Sequence, residues 1–163
     1  MTVTKSPCSR QLLAGKEFRG GIMIAIQKED VNIGQLINAA KQRCAGAIVV
    51  FDGIVRDDDI QEMELEAYEE VAVKELEKIA EKARTLHNLC SIDIIHRIGR
   101  LAVGENILII IVSAGHRQEA YEGSRFILEA IKEGVPIWKK ELTKDGGRWV
   151  PGEQMHGSKK PTQ

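Results

Sequence analysis

Residues 91–113 read SIDIIHRIGRLAVGENILIIIVS, and this stretch decides the fold class. Ser91 to Ile98 and Asn106 to Ser113 are short runs rich in isoleucine and valine, residues that pack well on a pleated surface. Gly99 to Glu105 carries two glycines and reads as a turn between them. Ile107 to Val112 holds no polar residue, so its strand is expected to be the most buried of the chain. Two strands in direct succession, with no helix between them, point away from a doubly wound parallel sheet.

The same pairing recurs on either side. Downstream, Ala120, Ser124, Ile127, Leu128 and Ile131 share one face of a helix expected from about His116 to Glu133, stopped by Gly134 and Pro136. Ile137 to Thr143 and Arg148 to Val150 then read as a hairpin around Asp145-Gly146-Gly147. Upstream, Leu76, Ile79, Ala80 and Ala83 mark a helix over about Glu69 to Leu86. Before it come strands at Ala47 to Val55 and Glu62 to Tyr68. Asn32-x-x-Gln35 has the form of a capping box opening a first helix, which Gly46 is expected to end. The order α-β-β-α-β-β-α-β-β predicts an α+β sandwich, mostly antiparallel, with three main helices.

Bulk properties bound the function. With 163 residues the chain can build one cored domain, read here as 22–152. Residues 1–21 are expected to be a poorly ordered extension and 153–163 a polar tail. A net charge of −1 offers no global field for nucleic acid, so anion binding must come from a local cluster. No apolar run is long enough to span a membrane. Cys8, Cys44 and Cys90 lie far apart and outside zinc-site spacing, which predicts reduced cytosolic thiols and no metal site. A catalytic role for Cys44 or Cys90 has no local support.

Four places could carry chemistry. Gly115-His116-Arg117 follows a buried strand and opens a helix. A helix N-terminus prefers acids, so a His-Arg pair there suits a bound phosphate or carboxylate; pairing with Glu119 or solvent is the plainer reading. Arg56 ends a strand after Gly53, where a glycine often marks a bulge; it can bind an oxyanion, or pair with Asp57 to Asp59. Lys132 sits in a last helical turn, where the dipole alone accounts for a cation. Lys139 and Lys140 are adjacent on a strand and must point to opposite faces, so one can face a pocket. His116 and Lys132 are 16 residues apart on one helix, which separates their backbones by ~24 Å. If both act on one small substrate, two subunits must share the site.

Phe51-x-Gly53-x-Val55-Arg56, His96-Arg97-Ile98-Gly99, Ser113-x-x-His116-Arg117, Pro136-x-Trp138-Lys139-Lys140-Glu141 and Arg148-Trp149 together resemble the molybdopterin synthase large (catalytic) subunit family over roughly residues 25–150. The resemblance implies an α/β hammerhead-containing fold and a cytoplasmic sulfurtransferase needing no cofactor of its own. It implies a homodimer within a heterotetramer, each large subunit binding a small ubiquitin-like sulfur carrier. The carrier's C-terminal Gly-Gly thiocarboxylate would give sulfur to cyclic pyranopterin monophosphate, forming the molybdopterin dithiolene. By the same resemblance Lys132 and Lys139 are the catalytic residues. Ile54, Val55, Arg56, His116, Arg117, Lys140 and Glu141 would line the substrate pocket. The chain departs from the family at Tyr121, where Phe is frequent, and at Pro151-Gly152-Glu153, where some members place an arginine. A non-catalytic module that docks a ubiquitin-like tail or a phosphorylated ligand is the alternative.

Overall fold

The computed structural model describes residues 21–144 and 146–150. The expectations for residues 1–20 and for the tail after Gly152 lie outside them. The elements run β1 (Ile22–Gln27), α1 (Ile33–Ala40), β2 (Ala47–Ile54), β3 (Glu62–Ala67), α2 (Glu69–His87), β4 (Leu89–Arg97), β5 (Gly99–Ala102), β6 (Asn106–Ala114), α3 (Arg117–Gly134), β7 (Ile137–Thr143) and β8 (Gly146–Val150).

One sheet has the strand order β1-β4-β6-β2, and the other β5-β3-β7-β8. Among the described residues every pairing is antiparallel except β1 with β4. The α+β class, the three helices and the antiparallel bias therefore stand. Ile92, Ile94, Ile110 and Val112 face a large core with Leu76 and Ala80 of α2 and Ile127 and Ile131 of α3. Ile95, Ile109 and Ile111 face the other way, toward Leu36 and Ala40 of α1. The middle of the first sheet is thus covered on both faces, which is why β4 and β6 read as nearly unbroken apolar runs.

Helix ends follow local chemistry. The Asn32 side chain accepts from the Gln35 N–H at 3.0 Å, as the capping pattern implies. α2 begins with Glu69 and Glu70 and closes on Asn88 in the left-handed region, φ 50°. α1 stops at Ala40, earlier than Gly46, and residues 41–46 form a loop.

Two strands escaped the sequence reading. β1 was legible only as the start of the domain. β5 falls inside the expected turn; it is four residues long and starts at Gly99 with φ +89°. It is a strand because β3, more than thirty residues earlier in the chain, pairs with it. The expectation of reduced thiols also fails for two of the three cysteines, Cys8 lying outside the described residues: Cys44 and Cys90 are bonded, with Cα atoms 6.2 Å apart. Neither is then a free nucleophile.

Arg97 ties these parts together. Its buried guanidinium donates to the Lys28 carbonyl from Nε (3.0 Å) and Nη2 (2.9 Å), and from Nη1 to Glu105 Oε1 (3.1 Å) and the Asn106 carbonyl (3.3 Å). The Ala102 N–H, then Arg97, hold the Glu105 carboxyl below its ordinary range. One side chain therefore joins the end of β1 to the β5–β6 turn. Arg97→Met should cost about 2–4 kcal/mol in urea unfolding, because several part-buried acceptors lose one shared donor at once. A loss under about 1 kcal/mol would show that this clamp does not hold the turn.

Candidate functional site

Two groups of charged side chains sit at opposite ends of the first sheet. The first gathers where β2 ends. The β2–β6 register shifts between Gly53 and Ile54, the irregularity that a glycine inside a strand suggested. A Cβ at Gly53 would lie 3.1 Å from the Phe51 ring, so a larger residue there would require that ring to shift. Beyond the shift, Ile54 is 53 % exposed and Val55 is buried at 1 %. Val55 keeps the strand going by donating to the Glu105 carbonyl (2.9 Å) and accepting from the Gly104 N–H (2.8 Å). Val55 can thus back a pocket wall with its side chain in the core. Arg56 projects outward and binds Asp58, Nη2 to Oδ2 at 2.7 Å and Nε to Oδ1 at 2.8 Å. This is the plainer of the two readings of Arg56. Asp58, and secondarily the charge of Glu141, raise the pKa of Arg56.

Glu141 belongs to β7, whose alternation sorts the lysines. Lys139 lies opposite Leu65 and Val150, and Glu141 opposite Met63 and Arg148, on one face of β7, where Glu141 is buried and Lys139 is exposed. Lys140 lies opposite Glu64 and Trp149 on the outer face. Its ammonium is 4.0 Å from Glu64 Oε2 and 5.4 Å from the Trp149 ring centroid. The expected opposition of Lys139 and Lys140 is therefore present, with Lys140 turned from Glu141. Glu141 is nearly buried and accepts from Arg148 Nη2 at 2.5 Å. That bond, reinforced by the carboxylate charge, raises the pKa of Arg148.

His96 joins this end from β4. It is buried, with Nδ1 2.8 Å from the Arg97 carbonyl oxygen, so Nδ1 carries the proton. Burial lowers its pKa from 6.5 to about 4, opposed by the Arg97 bond and aided by the charge of Lys139. His96 and Arg148 stood only as motif letters in the sequence. Their part in this corner comes from sheet register, which local pattern does not carry. Lys132 is exposed in the last turn of α3, the helix that precedes β7 in the chain.

His116 and Arg117 are at the other end. Ala114, just before them, pairs with Ala47 at the start of β2 and with Leu89 at the start of β4. Both side chains are exposed, and the His116 N–H donates to Glu119 Oε2 at 3.2 Å. Glu119 thus supplies the acid that the helix end prefers. The 18 residues of α3 hold this pair ~27 Å from the far end of the helix. A groove of about 390 Å³ lined by Lys28, Glu64, Leu65, Glu66, Ala67, Ile98 and Gly99 contains none of the expected site residues.

The family described as MoaE protein matches residues 26–134. The chain belongs to this family. A molybdopterin synthase catalytic subunit of Pyrococcus abyssi is 38% identical over 137 residues, 82% of this chain and 93% of that protein. One from Bacillus subtilis is 39% identical over 140 residues, 83% and 88% of the two chains. Among solved structures, molybdopterin synthase from Staphylococcus aureus superposes with a TM-score of 0.73 at 35% identity, covering 77% of this chain and 95% of that one. A complex of subunits 1 and 2 of molybdopterin-converting factor from Helicobacter pylori gives 0.69 at 26% identity, covering 80% and 91%. As a MoaE chain, the protein carries its Lys139–Glu141–Arg148 corner on the second sheet and its His116-Arg117 pair on the first.

The buried His96 gives a pH signature. Its folded pKa is depressed, so the unfolded chain takes up the proton first as pH falls. Its stabilisation is complete above about 6.5 and is lost on acidification toward 4, a change of about 3 kcal/mol. Denaturant titrations across that window should show this slope in the parent and a flatter one in His96→Gln. Identical slopes would remove His96 as the cause.

Proposed function

We propose that this chain is the catalytic subunit of a molybdopterin synthase, a sulfurtransferase of molybdenum cofactor biosynthesis. Its sulfur comes from the thiocarboxylated C-terminal Gly-Gly tail of a small ubiquitin-like partner, and its acceptor is cyclic pyranopterin monophosphate. The Helicobacter pylori neighbour, described as a complex of two subunits, supports the partner. Names of the relatives as catalytic subunits favour the enzyme over a non-catalytic docking module. We place the protein in the cytoplasm; among the described residues no helix is long and apolar enough to cross a membrane.

The observation that carries this reading is the family match over residues 26–134, with catalytic subunits matched over four-fifths of the chain; the corner of Arg56 at the end of β2 and the Lys139–Glu141 face of β7 supports it. Both reactants are anions, a cyclic phosphate and a thiocarboxylate, and the corner supplies cations for them. The Arg56–Asp58 pair is solvent-exposed and hence weak, so a phosphate can take the place of Asp58. In each transfer the thiocarboxylate sulfur bonds to a carbon of the pterin side chain as that carbon's bond to oxygen breaks, the oxygen staying with the phosphate in one transfer and leaving as water in the other. Water then cleaves the acyl–sulfur bond, leaving the tail as a carboxylate. Two tails in turn complete the dithiolene. Lys139, with Lys132, moves protons and offsets the charge that develops. Ile54, Val55, Arg56 and Glu141 form the surrounding wall, and Lys140, on the opposite face of β7, borders it only at the rim.

His116 and Arg117 complete the pocket from a second copy of the chain, within a homodimer that becomes a heterotetramer with two small subunits. β2 is an edge strand, with Val50 and Ile54 exposed along it. A twofold axis beside β2 would pair it antiparallel with its copy, so that the Ala47 end of one meets the Ile54 end of the other. Ala47 pairs with Ala114, two residues before His116. The same rotation would carry His116 and Arg117 toward the Arg56 end of the neighbouring copy.

Turnover is measured with purified thiocarboxylated partner and pterin precursor, scoring the dithiolene product. Lys139→Ala and Lys132→Ala should each lose about 10²–10⁴-fold, and Lys140→Ala less than about tenfold. Near-parental turnover in either of the first two variants removes that lysine from the mechanism. Mixing inactive His116→Ala with inactive Lys139→Ala should restore activity, because one of the two sites in a mixed dimer is intact. Unfolding and reassembling the pair together with no recovery would sink the shared site.

A further inference from the structure

Cys44 and Cys90 have no part in the reaction proposed above, yet two separate features of the backbone bring them together. Leu89 pairs with Ala114 and Ser91 with Ser113, which leaves Cys90 as the extra residue of a β-bulge in β4. A bulge re-aims the side chain it inserts. Here it meets Cys44 in the loop 41–46, across a sequence separation of 46 and a Cα–Cα distance of 6.2 Å that a disulfide spans without backbone movement.

That loop is the floor beneath the N-terminus of α3. The Gly46 N–H donates to the Ala114 carbonyl at 2.8 Å. A Cβ at Gly46 would collide with the Gly115 carbonyl, and one at Gly115 would lie 3.8 Å from the carbonyl oxygen of Cys44. The residue after Gly115 is His116. Beside the bulge, the buried Ser91 and Ser113 hydroxyls share a 2.6 Å hydrogen bond, so the β4–β6 ladder resumes at once. Opening the disulfide therefore removes one tie on the loop while the ladder beside it stays paired.

We propose that the Cys44–Cys90 bond is a redox-controlled brace. Closed, it holds loop 41–46 under Gly115 and sets His116 and Arg117 where the shared pocket uses them; opened, it frees them and weakens that pocket. The functional half rests on the reading of His116 and Arg117 as pocket residues. Cys44 is exposed and Cys90 half-buried, so attack comes at the Cys44 sulfur. The thiolate of a dithiol reductant bonds to Sγ of Cys44, the Sγ–Sγ bond breaks and Cys90 leaves as a thiolate. The second thiol of the reductant then displaces Cys44 as a thiolate. Two electrons pass to the protein and the dithiol becomes a disulfide. A small-molecule disulfide such as oxidised glutathione reverses the sequence. In a reducing compartment, an exposed disulfide is of the labile, regulatory kind.

The test uses the full chain carrying Cys8→Ser, so that two thiols remain. The protein is equilibrated in glutathione and dithiothreitol buffers, free thiols are counted by alkylation and mass, and amide hydrogen exchange is followed. The oxidised protein should show no free thiol and the reduced protein two. Reduction should speed exchange roughly tenfold in residues 41–47 and 114–118 and leave the centres of β4 and β6 unchanged. With the partner and precursor, KM for the pterin should rise roughly tenfold while kcat changes far less. Cys44→Ser and Cys90→Ser should each match the reduced protein and ignore dithiothreitol. Two free thiols after oxidised glutathione, or exchange indifferent to reduction, would overturn the brace. Redox-dependent exchange in a protein that makes no dithiolene in either state would uphold the brace and overturn the catalytic reading.

Discussion

β6 has no face turned to water, and the rest of the molecule is arranged around that constraint. All residues from Ile107 to Ala114 are buried. α2 and α3 cover one face of its sheet, α1 covers the other, and β4 and β2 take its two edges. Each fully buried isoleucine, leucine or valine is worth about 1.5–3 kcal/mol, so a charge along this strand would cost more than most single contacts return. Functional side chains are therefore confined to the ends of the sheet.

The antiparallel pairing of β6 then decides which groups can meet. The start of β6 lies beside the end of β2, and its end beside the start of β2. Arg56 follows the first junction, and His116 and Arg117 follow the second. A single chain keeps them apart, while the edge position of β2 leaves room for a second chain to close the gap. On the proposed shared site, that geometry couples the reaction to assembly.

At the Arg56 end, a second rule operates within one strand. The pleat of β7 puts Lys139 and Glu141 on one face and Lys140 on the other, beside Glu64 and Trp149. Adjacent lysines of the same chemical type thus acquire different surroundings. Arg97, at the junction of β1, β4 and the β5–β6 turn, fixes the backbone next to His96 and so the floor of this corner.

Much of this was legible in the residues. The apolar run 107–112 announced the most buried strand, and the alternation rule separated Lys139 from Lys140 before any coordinates. Helical rise alone separated His116 from Lys132 and asked for two subunits. The family motifs named the chemistry. What local pattern did not carry were relations set by distant partners. β5 looks like a turn, because only its pairing with β3 makes it a strand. Arg148 meets Glu141, and Lys139 is felt by His96, through register between strands. Cys44 and Cys90 read as two isolated thiols until a bulge in β4 turned one toward the other. The sequence by itself determined periodicity, burial and the inventory of charges, because these depend on neighbours a few residues away. Only the tertiary structure decided which of those charges and thiols share a place, because long-range strand pairing is chosen by burial of the whole core.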